Sequence, residues 1–245
     1  MTIPTYIVNL KTSTARKEYM ENLLSGFSRL DTRFIEAVDG RLFSEEERNQ
    51  AFDMHECMLR NGRELNAGEI GCTLSHRKCY RMLVDSGDKY ALILEDDISI
   101  VGDMHRALSE EVIRFMSCDK PRILFLSGDY WYWKRKNISR VCWAVGSYAY
   151  YINRAAASRI LRIKKPFNVA DDWDLYKAAG VSLYALHPYV VDANITDLPS
   201  EIQQNHWGNL KQRMSLKNIL RSYRMGITKR LLCYMGHFES KIRNN

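Results

Sequence analysis

Three consecutive acids, Glu95, Asp96 and Asp97, follow the apolar run of residues 91–94 in the stretch KYALILEDDISI. Carboxylates this close repel one another unless a cation or several hydrogen-bond donors neutralise them. Mg²⁺ or Mn²⁺ is the economical partner, because a hard divalent ion prefers oxygen ligands and leaves positions for water and substrate phosphates. A surface turn that caps the next helix is the alternative reading. The unbroken apolar run ahead of the acids favours the metal. Alternation along a strand sends Glu95 and Asp97 to one side and Asp96 to the other. A second acid group, Asp171, Asp172 and Asp174, stands where NVADDWDLYKAAG begins a short helix. The helix dipole alone accounts for at least one of those three.

These residues need a scaffold, and the pattern supplies one. TYIVNL (residues 5–10) reads as a first strand, followed by a helix over 12–25 capped by Thr12 or Ser13. A second strand spans 34–40 and ends in the Asp39-Gly40 turn. Ser44 with Glu47 forms a capping box that opens another helix. Residues 66–87 read as a glycine-flanked turn running into an amphipathic helix that carries Ser75 and His76. The acid-tipped strand comes next, then a helix over 103–117, strands at 122–127 and 143–152, an alanine-rich helix, and a strand at 181–188. Strands alternating with helices predict an α/β fold with a mainly parallel central sheet and helices on both faces. In such sheets ligands bind beyond the carboxyl ends of the strands, which is where the acids stand.

The chain has 245 residues and a formal net charge of +7. Residues 211–245 hold nine basic side chains against one acid, so this tail carries +8 and the remainder −1. Binding of nucleic acid over the whole surface is therefore not expected, and an anionic partner should meet the tail. From Leu216 the apolar residues Ile219, Leu220, Tyr223, Ile227, Leu231, Tyr234 and Met235 recur at helical spacing. A basic amphipathic segment without acids reads as an interfacial membrane binder through residues 211–235. A helix packed on the domain with a solvated basic face is the competing reading, and Gly226 interrupts the pattern. Six cysteines lack any CxxC pair, which suits reduced thiols in a cytosol. The opening residues show no secretory signal and no apolar run spans a membrane, so Asn137-Ile138-Ser139 reads as a chance glycosylation pattern. The expected location is cytoplasmic and peripheral at the inner membrane.

ALILEDD, preceded about twenty residues earlier by AGEIGCTLSH, resembles glycosyltransferase family 25. YIVNLKTSTARKEYM, FIEAVDG and VGSYAYYINRAAASRIL resemble further motifs of that family in the same order, covering roughly residues 3–205. Ser147 stands where threonine is common, and DYWYWKRKNISR matches no family motif. The resemblance implies a GT-A type, Rossmann-like nucleotide-sugar fold over 1–207, followed by the basic tail 208–245. It also implies an inverting transfer of hexose, galactose before glucose, from a UDP-sugar to a lipid-linked oligosaccharide acceptor of a bacterial lipooligosaccharide or lipopolysaccharide core.

By the same resemblance the acids hold Mn²⁺ or Mg²⁺ on the donor diphosphate. Asp97 is the direct ligand, and Glu95 or Asp96 reaches the ribose or a metal-bound water. Asn9, Arg16 and Asp39 fall on nucleotide-side motifs. Gly68 and Gly71 stand for close backbone approach to the donor, or for a helix-entry turn. Ser75 and His76 stand for donor or acceptor contacts, with packing as the alternative for His76. An inverting reaction needs a base, for which Asp172 or Asp174 is expected ahead of Asp171, with Trp173 on a sugar face. His187 and His206 are alternative metal ligands or plain surface residues. The aromatic run Tyr130–Trp133, followed by Lys134, Arg135 and Lys136, suits a loop that recognises the acceptor. Two rival classes remain: a metal-dependent nucleotidyltransferase, disfavoured by the acid in AGEIG, and a nucleic-acid-binding protein using the tail, which leaves the acid cluster unexplained.

Overall fold

A computed structural model describes residues 2–193 and 214–240. His206 and the expected boundary at 207/208 lie outside the described residues. The chain opens with β1 (Ile3–Asn9), α1 (Thr14–Leu24) and β2 (Leu30–Glu36). A single 3-10 turn (Gly40–Leu42) precedes α2 (Glu45–Ala51), whose Ser44–Glu47 capping box forms as expected. Helix α3 (Met54–Asn61) leads to the long α4 (Ala67–Ser86). A second capping box, between Asn66 and Glu69, starts α4, and Gly87 at φ 78° ends it. Next come β3 (Tyr90–Glu95), β4 (Ile98–Ile100), α5 (Met104–Ala107), α6 (Glu110–Met116) and β5 (Arg122–Phe125). The chain continues through β6 (Tyr130–Tyr132), β7 (Ile138–Ala144), β8 (Ala149–Asn153), α7 (Arg154–Leu161) and α8 (Trp173–Ala178). It closes with β9 (Ser182–Leu186), β10 (Val191–Ala193), α9 (Leu216–Tyr234) and β11 (Phe238–Glu239).

Nine of these strands form one sheet in the order β11-β6-β7-β9-β5-β8-β3-β1-β2. Strands β1, β2, β3, β5, β6 and β9 share a direction, whereas β7, β8 and β11 run against it. The sheet is mainly parallel in direction, and reversed strands interrupt it. Strand β8 is the one that matters for function. Because it runs antiparallel to β3, with Leu94 opposite Ala149, the turn before it arrives beside Glu95.

The strand alternation shows in the packing. Ala91 and Ile93 of β3 join one core with α4, α7 and α8, through Cys79, Tyr80, Ile160, Trp173 and Tyr176. Tyr90, Leu92 and Leu94 join the opposite core with α1, α5 and α6, through Met20, Leu24, Met104 and Val112. Buried on both faces, β3 must be apolar until it leaves the core, and it turns acidic there.

Four expectations change in register or type, the first being the strand expected at 34–40, which instead lies at Leu30–Glu36 and is followed by the 3-10 turn Gly40–Leu42. Residues 103–117 form two helices, because Ser109 caps α6 by accepting from the Val112 N–H. The expected strand 143–152 is broken between β7 and β8, where Gly146 takes φ 80° and a Cβ would meet the Tyr148 ring at 2.2 Å. The aromatic run 130–133 is mostly a strand, paired with β7 on one side and β11 on the other, rather than a recognition loop. Tyr130 and Tyr132 are buried, and Trp131 stacks on Phe238 of β11 at 4.3 Å.

Gly71 and Gly40 let α4 cross the 38–42 segment backbone to backbone. A Cβ on Gly71 would lie 2.4 Å from the Val38 carbonyl oxygen and 2.9 Å from the Gly40 nitrogen. Gly71→Ala should therefore destabilise the protein by about 1–3 kcal/mol, because overpacking pushes the helix off that segment. Gly226→Ala, whose Cβ meets nothing within 4 Å, should leave the melting temperature equal or higher. Paired thermal melts test both, and an unchanged Gly71→Ala would remove the tight crossing.

Candidate functional site

A cleft of about 710 Å³, counting its open mouth, lies at the carboxyl ends of β1 and β3. Arg16, Asp39, Gly68, Ser75, His76, Glu95, Asp96 and Asp97 all line it, with Val8, Leu10, Val38 and Cys72 as apolar wall. Gly71 is not among the lining residues, and its contact is the packing described above.

The three acids separate. Glu95, on the same side of β3 as Ile93, faces α4: it accepts from Ser147 Oγ at 2.5 Å and stands 3.3 Å from His76 Nε2. His76 is buried, and its Nδ1 pairs with the Tyr150 hydroxyl at 2.7 Å, which in turn meets Tyr80 at 2.7 Å. Asp96 faces α1: Asn9 Nδ2 donates to it at 2.7 Å and Arg16 Nη1 at 2.8 Å. Alternation along the strand explains this split. It does not explain Asp97, because β3 stops at Glu95 and the chain turns. Asp97 consequently shares Arg16 with Asp96, at 3.3 Å, instead of the partners of Glu95.

Their acidities diverge for the same reason. Burial lifts the Glu95 carboxyl, but His76, through its hydrogen bond and charge, together with Ser147 and Arg16, outweighs burial and leaves it below the usual range. Burial lifts Asp96 in spite of Arg16 and Asn9. Asp97 is pushed up to about 6, by burial first and then by the Glu95 charge. One guanidinium thus offsets part of the negative charge and leaves an excess at the cleft floor. A hard divalent cation fits that excess. Among the described residues a second ligand set exists: Cys72 Sγ, His76 and Glu95 place atoms within 4.8 Å of one another. Burial, with the Glu95 charge second, holds the Cys72 thiol well above its usual range, so the neutral form is favoured there.

Other expected residues are committed elsewhere. The Ser75 hydroxyl donates to the Gly71 carbonyl at 2.7 Å and accepts from the Val38 N–H at 2.8 Å, which ties α4 to the loop after β2. Asp39 accepts from the Arg41 backbone N–H and pairs with its guanidinium at 2.7 Å, which lowers its carboxyl. Asp172 caps α8 by accepting from the Leu175 N–H and is clamped by Arg60, whose Nε and Nη2 each donate to one of its oxygens. Asp174 meets Lys177 at 3.5 Å and Arg221 at 3.7 Å. Asp171 differs. Its carboxylate accepts from the Gly146 N–H at 2.9 Å, and burial, then the Glu95 charge, raises its pKa. Trp173 is buried against Phe125 and Tyr150, so its ring serves the core and offers no sugar-binding face. His187 lies at 3.2 Å from Glu239, apart from the acid cluster.

Cys72, Ser147 and Tyr150 belong to the site although none of them was expected there; Ser147 and Tyr150 lie in the VGSYAYYINRAAASRIL motif, where Ser147 stood out only as a departure from threonine. For Cys72 a signal existed: it precedes His76 by one helical turn. For Ser147 the signal is the antiparallel pairing of β8, which local sequence does not specify.

Arg16→Met tests the clamp. Its removal leaves Asp96 buried with Asn9 alone and should cost about 3 kcal/mol near neutral pH. Because burial raises the Asp96 pKa, acid protonates that carboxyl readily and the penalty should shrink as the pH falls through it. Denaturant melts across pH check the sign. A penalty that grows in acid would refute the clamp.

The sequence profile of glycosyltransferase family 25 (LPS biosynthesis protein) matches residues 2–174, which include β1, α4, the β3 acids and the 171–174 segment. A glycosyltransferase 25 family member of Drosophila melanogaster is 35% identical over 99 residues, covering 38% of this chain and 16% of that protein. One from Aedes aegypti is 33% identical over 96 residues, with the same coverage. The match thus spans about a sixth of the length of either relative. Among solved structures, a glycosyltransferase involved in glycosylation of the major capsid of PBCV-1 aligns over 81% of this chain and 95% of its own, at 9% identity and TM-score 0.43. That likeness is too slight to bear on function. The profile match covers more than half of the chain and spans the cleft and its acids; the chain belongs to glycosyltransferase family 25.

Proposed function

We propose that this chain transfers a hexosyl group, galactose in preference to glucose, from a UDP-sugar to the core of a lipid-linked lipooligosaccharide or lipopolysaccharide, with inversion. The observation that carries the reading is the floor of the cleft. There Asp96 is anchored by Arg16 and Asn9, and Asp97 beside it is raised to about 6 by burial first and then by the Glu95 charge. Asp97, with Glu95 behind it, would hold Mn²⁺ or Mg²⁺. Such an ion, when bound, stabilises negative charge developing on a departing diphosphate as a Lewis acid.

The protein's own groups do the rest. Arg16 fixes the orientation of Asp96 and Asp97, and His76 with Ser147 fixes Glu95. Asp39, paired with Arg41, and Gly68 also line the cleft and would form the nucleoside side. The acceptor hydroxyl needs a carboxylate to take its proton. Asp171 is assigned that role over Asp172 and Asp174, because those two are spent on Arg60, the α8 cap, Lys177 and Arg221. The remaining assignments are a catalytic unit over 1–207 with a separate tail, and a cytoplasmic position peripheral at the inner leaflet. Among the described residues no helix is long and apolar enough to cross a membrane, and all six cysteines are free, which supports that placement.

Transfer assays with a panel of UDP-sugars, with and without EDTA, test the proposal. Turnover should appear with UDP-galactose and vanish on chelation. Asp97→Asn should abolish it in a folded protein, and a wild-type rate in that variant would remove Asp97 from the site. Asp171→Asn should lower kcat by about 10²–10⁴. The base works deprotonated, so kcat/KM should rise with pH through a limb above the ordinary carboxylate range, as the raised Asp171 requires. A limb at the usual carboxylate pKa would reassign the base.

A further inference from the structure

Helix α9 is turned inside out for a helix lying on a protein. Leu216, Leu220, Tyr223, Ile227, Leu231 and Tyr234 recur every three or four residues and all face outward, with Leu216 at 79%, Ile227 at 67% and Tyr234 at 93% exposure. The side towards the domain is largely polar. Asn218 Nδ2 donates to the Leu59 carbonyl at 2.9 Å, Arg221 meets Asp174 at 3.7 Å, and Lys229 stands 4.4 Å from the centre of the Trp131 ring. Trp131 Nε1 also donates to Cys233 Sγ at 3.1 Å, and only Leu232 is fully buried. These contacts fix the rotation of the helix, and β11 pairs with β6 immediately after it. The apolar stripe cannot turn inward without breaking them. A contiguous apolar surface of this kind marks an interaction site.

Charge identifies the occupant. Residues 216–234 contain five basic side chains and no acid. Exposed Lys217, Arg224 and Arg230 flank the stripe on its two edges. A second copy of α9 would bring two such sets of cations together, whereas an anionic lipid surface neutralises them. We propose that α9 is an interfacial anchor, with its stripe in the acyl boundary of an anionic bilayer and its flanking cations among headgroup phosphates. This is the expected arrangement for a helix with a strong apolar face, basic edges and too little length of apolar sequence to span.

The anchor extends the lipid-linked acceptor reading, and it rests on that reading for one point only. Arg221 ties α9 to Asp174, three residues beyond Asp171, so a docked helix holds the membrane against the segment assigned to receive the acceptor. A lipid-linked sugar would then approach the base from the plane in which its lipid lies.

Sedimentation of the full chain with vesicles tests the anchor without donor or acceptor, so its result stands apart from that of the transfer assay. The chain should pellet with phosphatidylglycerol–phosphatidylcholine vesicles and remain largely free with phosphatidylcholine alone, and salt near 0.5 M should weaken the binding by screening. Leu220→Glu with Ile227→Glu should reduce binding at least about tenfold with an unchanged thermal melt, because both side chains face solvent. Reversal of Lys217, Arg224 and Arg230 to Glu should abolish the preference for anionic vesicles. Wild-type pelleting by the Leu220→Glu, Ile227→Glu protein would overturn the proposal. So would a solution dimer that this double variant converts to monomer, since the stripe would then belong to a second copy.

Discussion

The pairing of Arg16 with Asp96 and Asp97 is the constraint on which the site depends. Three adjacent carboxylates leave the core at the end of β3, and burying such charges is costly unless they are paired. The cation comes from α1, the helix that follows β1, and β1 is the neighbour of β3 in the sheet. Parallel pairing of β1 and β3 therefore does two things. It builds the central sheet, and it delivers Asn9 and Arg16 to the point where β3 turns acidic. Compensation is partial, and the uncompensated remainder appears at Asp97. The cation proposed for this site would require this imbalance, since full neutralisation would leave nothing to bind it.

A second organising contact crosses the other face of the sheet. Strand β8 is reversed, so the turn before it brings Ser147 to Glu95 and offers the Gly146 N–H to Asp171. The Trp173 indole donates to the Gly146 carbonyl at 3.0 Å, which locks the same turn against α8. Glu95 and Asp171, 76 residues apart in sequence, thereby share one short loop as their scaffold. The left-handed φ of Gly146 makes that loop possible, and a side chain there would collide with Tyr148. The divergence in acidity between Glu95 and Asp171 follows: the first has side-chain donors on two sides, whereas burial and the Glu95 charge outweigh the backbone donors of the second.

Helix α9 shows how an amphipathic pattern can mislead about direction. Apolar periodicity fixes that a helix has two faces, but the fold decides which face meets the domain. Here Arg221, Lys229 and Asn218 find acid, aromatic and carbonyl partners on α8, β6 and α3, so the polar side turns inward. The outward stripe, the exposed cations and β11 pairing at the sheet edge make this segment a second working surface, outside the region matched by the family profile.

Much of the scaffold was legible because its signals are local. The Ser44–Glu47 capping box spans four residues, and the apolar run of β3 followed by acids needs no partner to be recognised. The strands β6, β10 and β11 were not, since strands of two or three residues exist only through their neighbours. The same division runs through the site. Sequence alone determined that a buried strand ends in three carboxylates, that Glu95 and Asp96 face opposite ways, and that a second acid group opens a helix. Tertiary structure alone decided which acid is spent and which is poised. Arg60 reaches Asp172 across 112 residues and Arg16 reaches Asp96 across 80. Periodicity and capping act between residues a turn apart, whereas the charge that neutralises a buried carboxylate can come from anywhere the fold brings it.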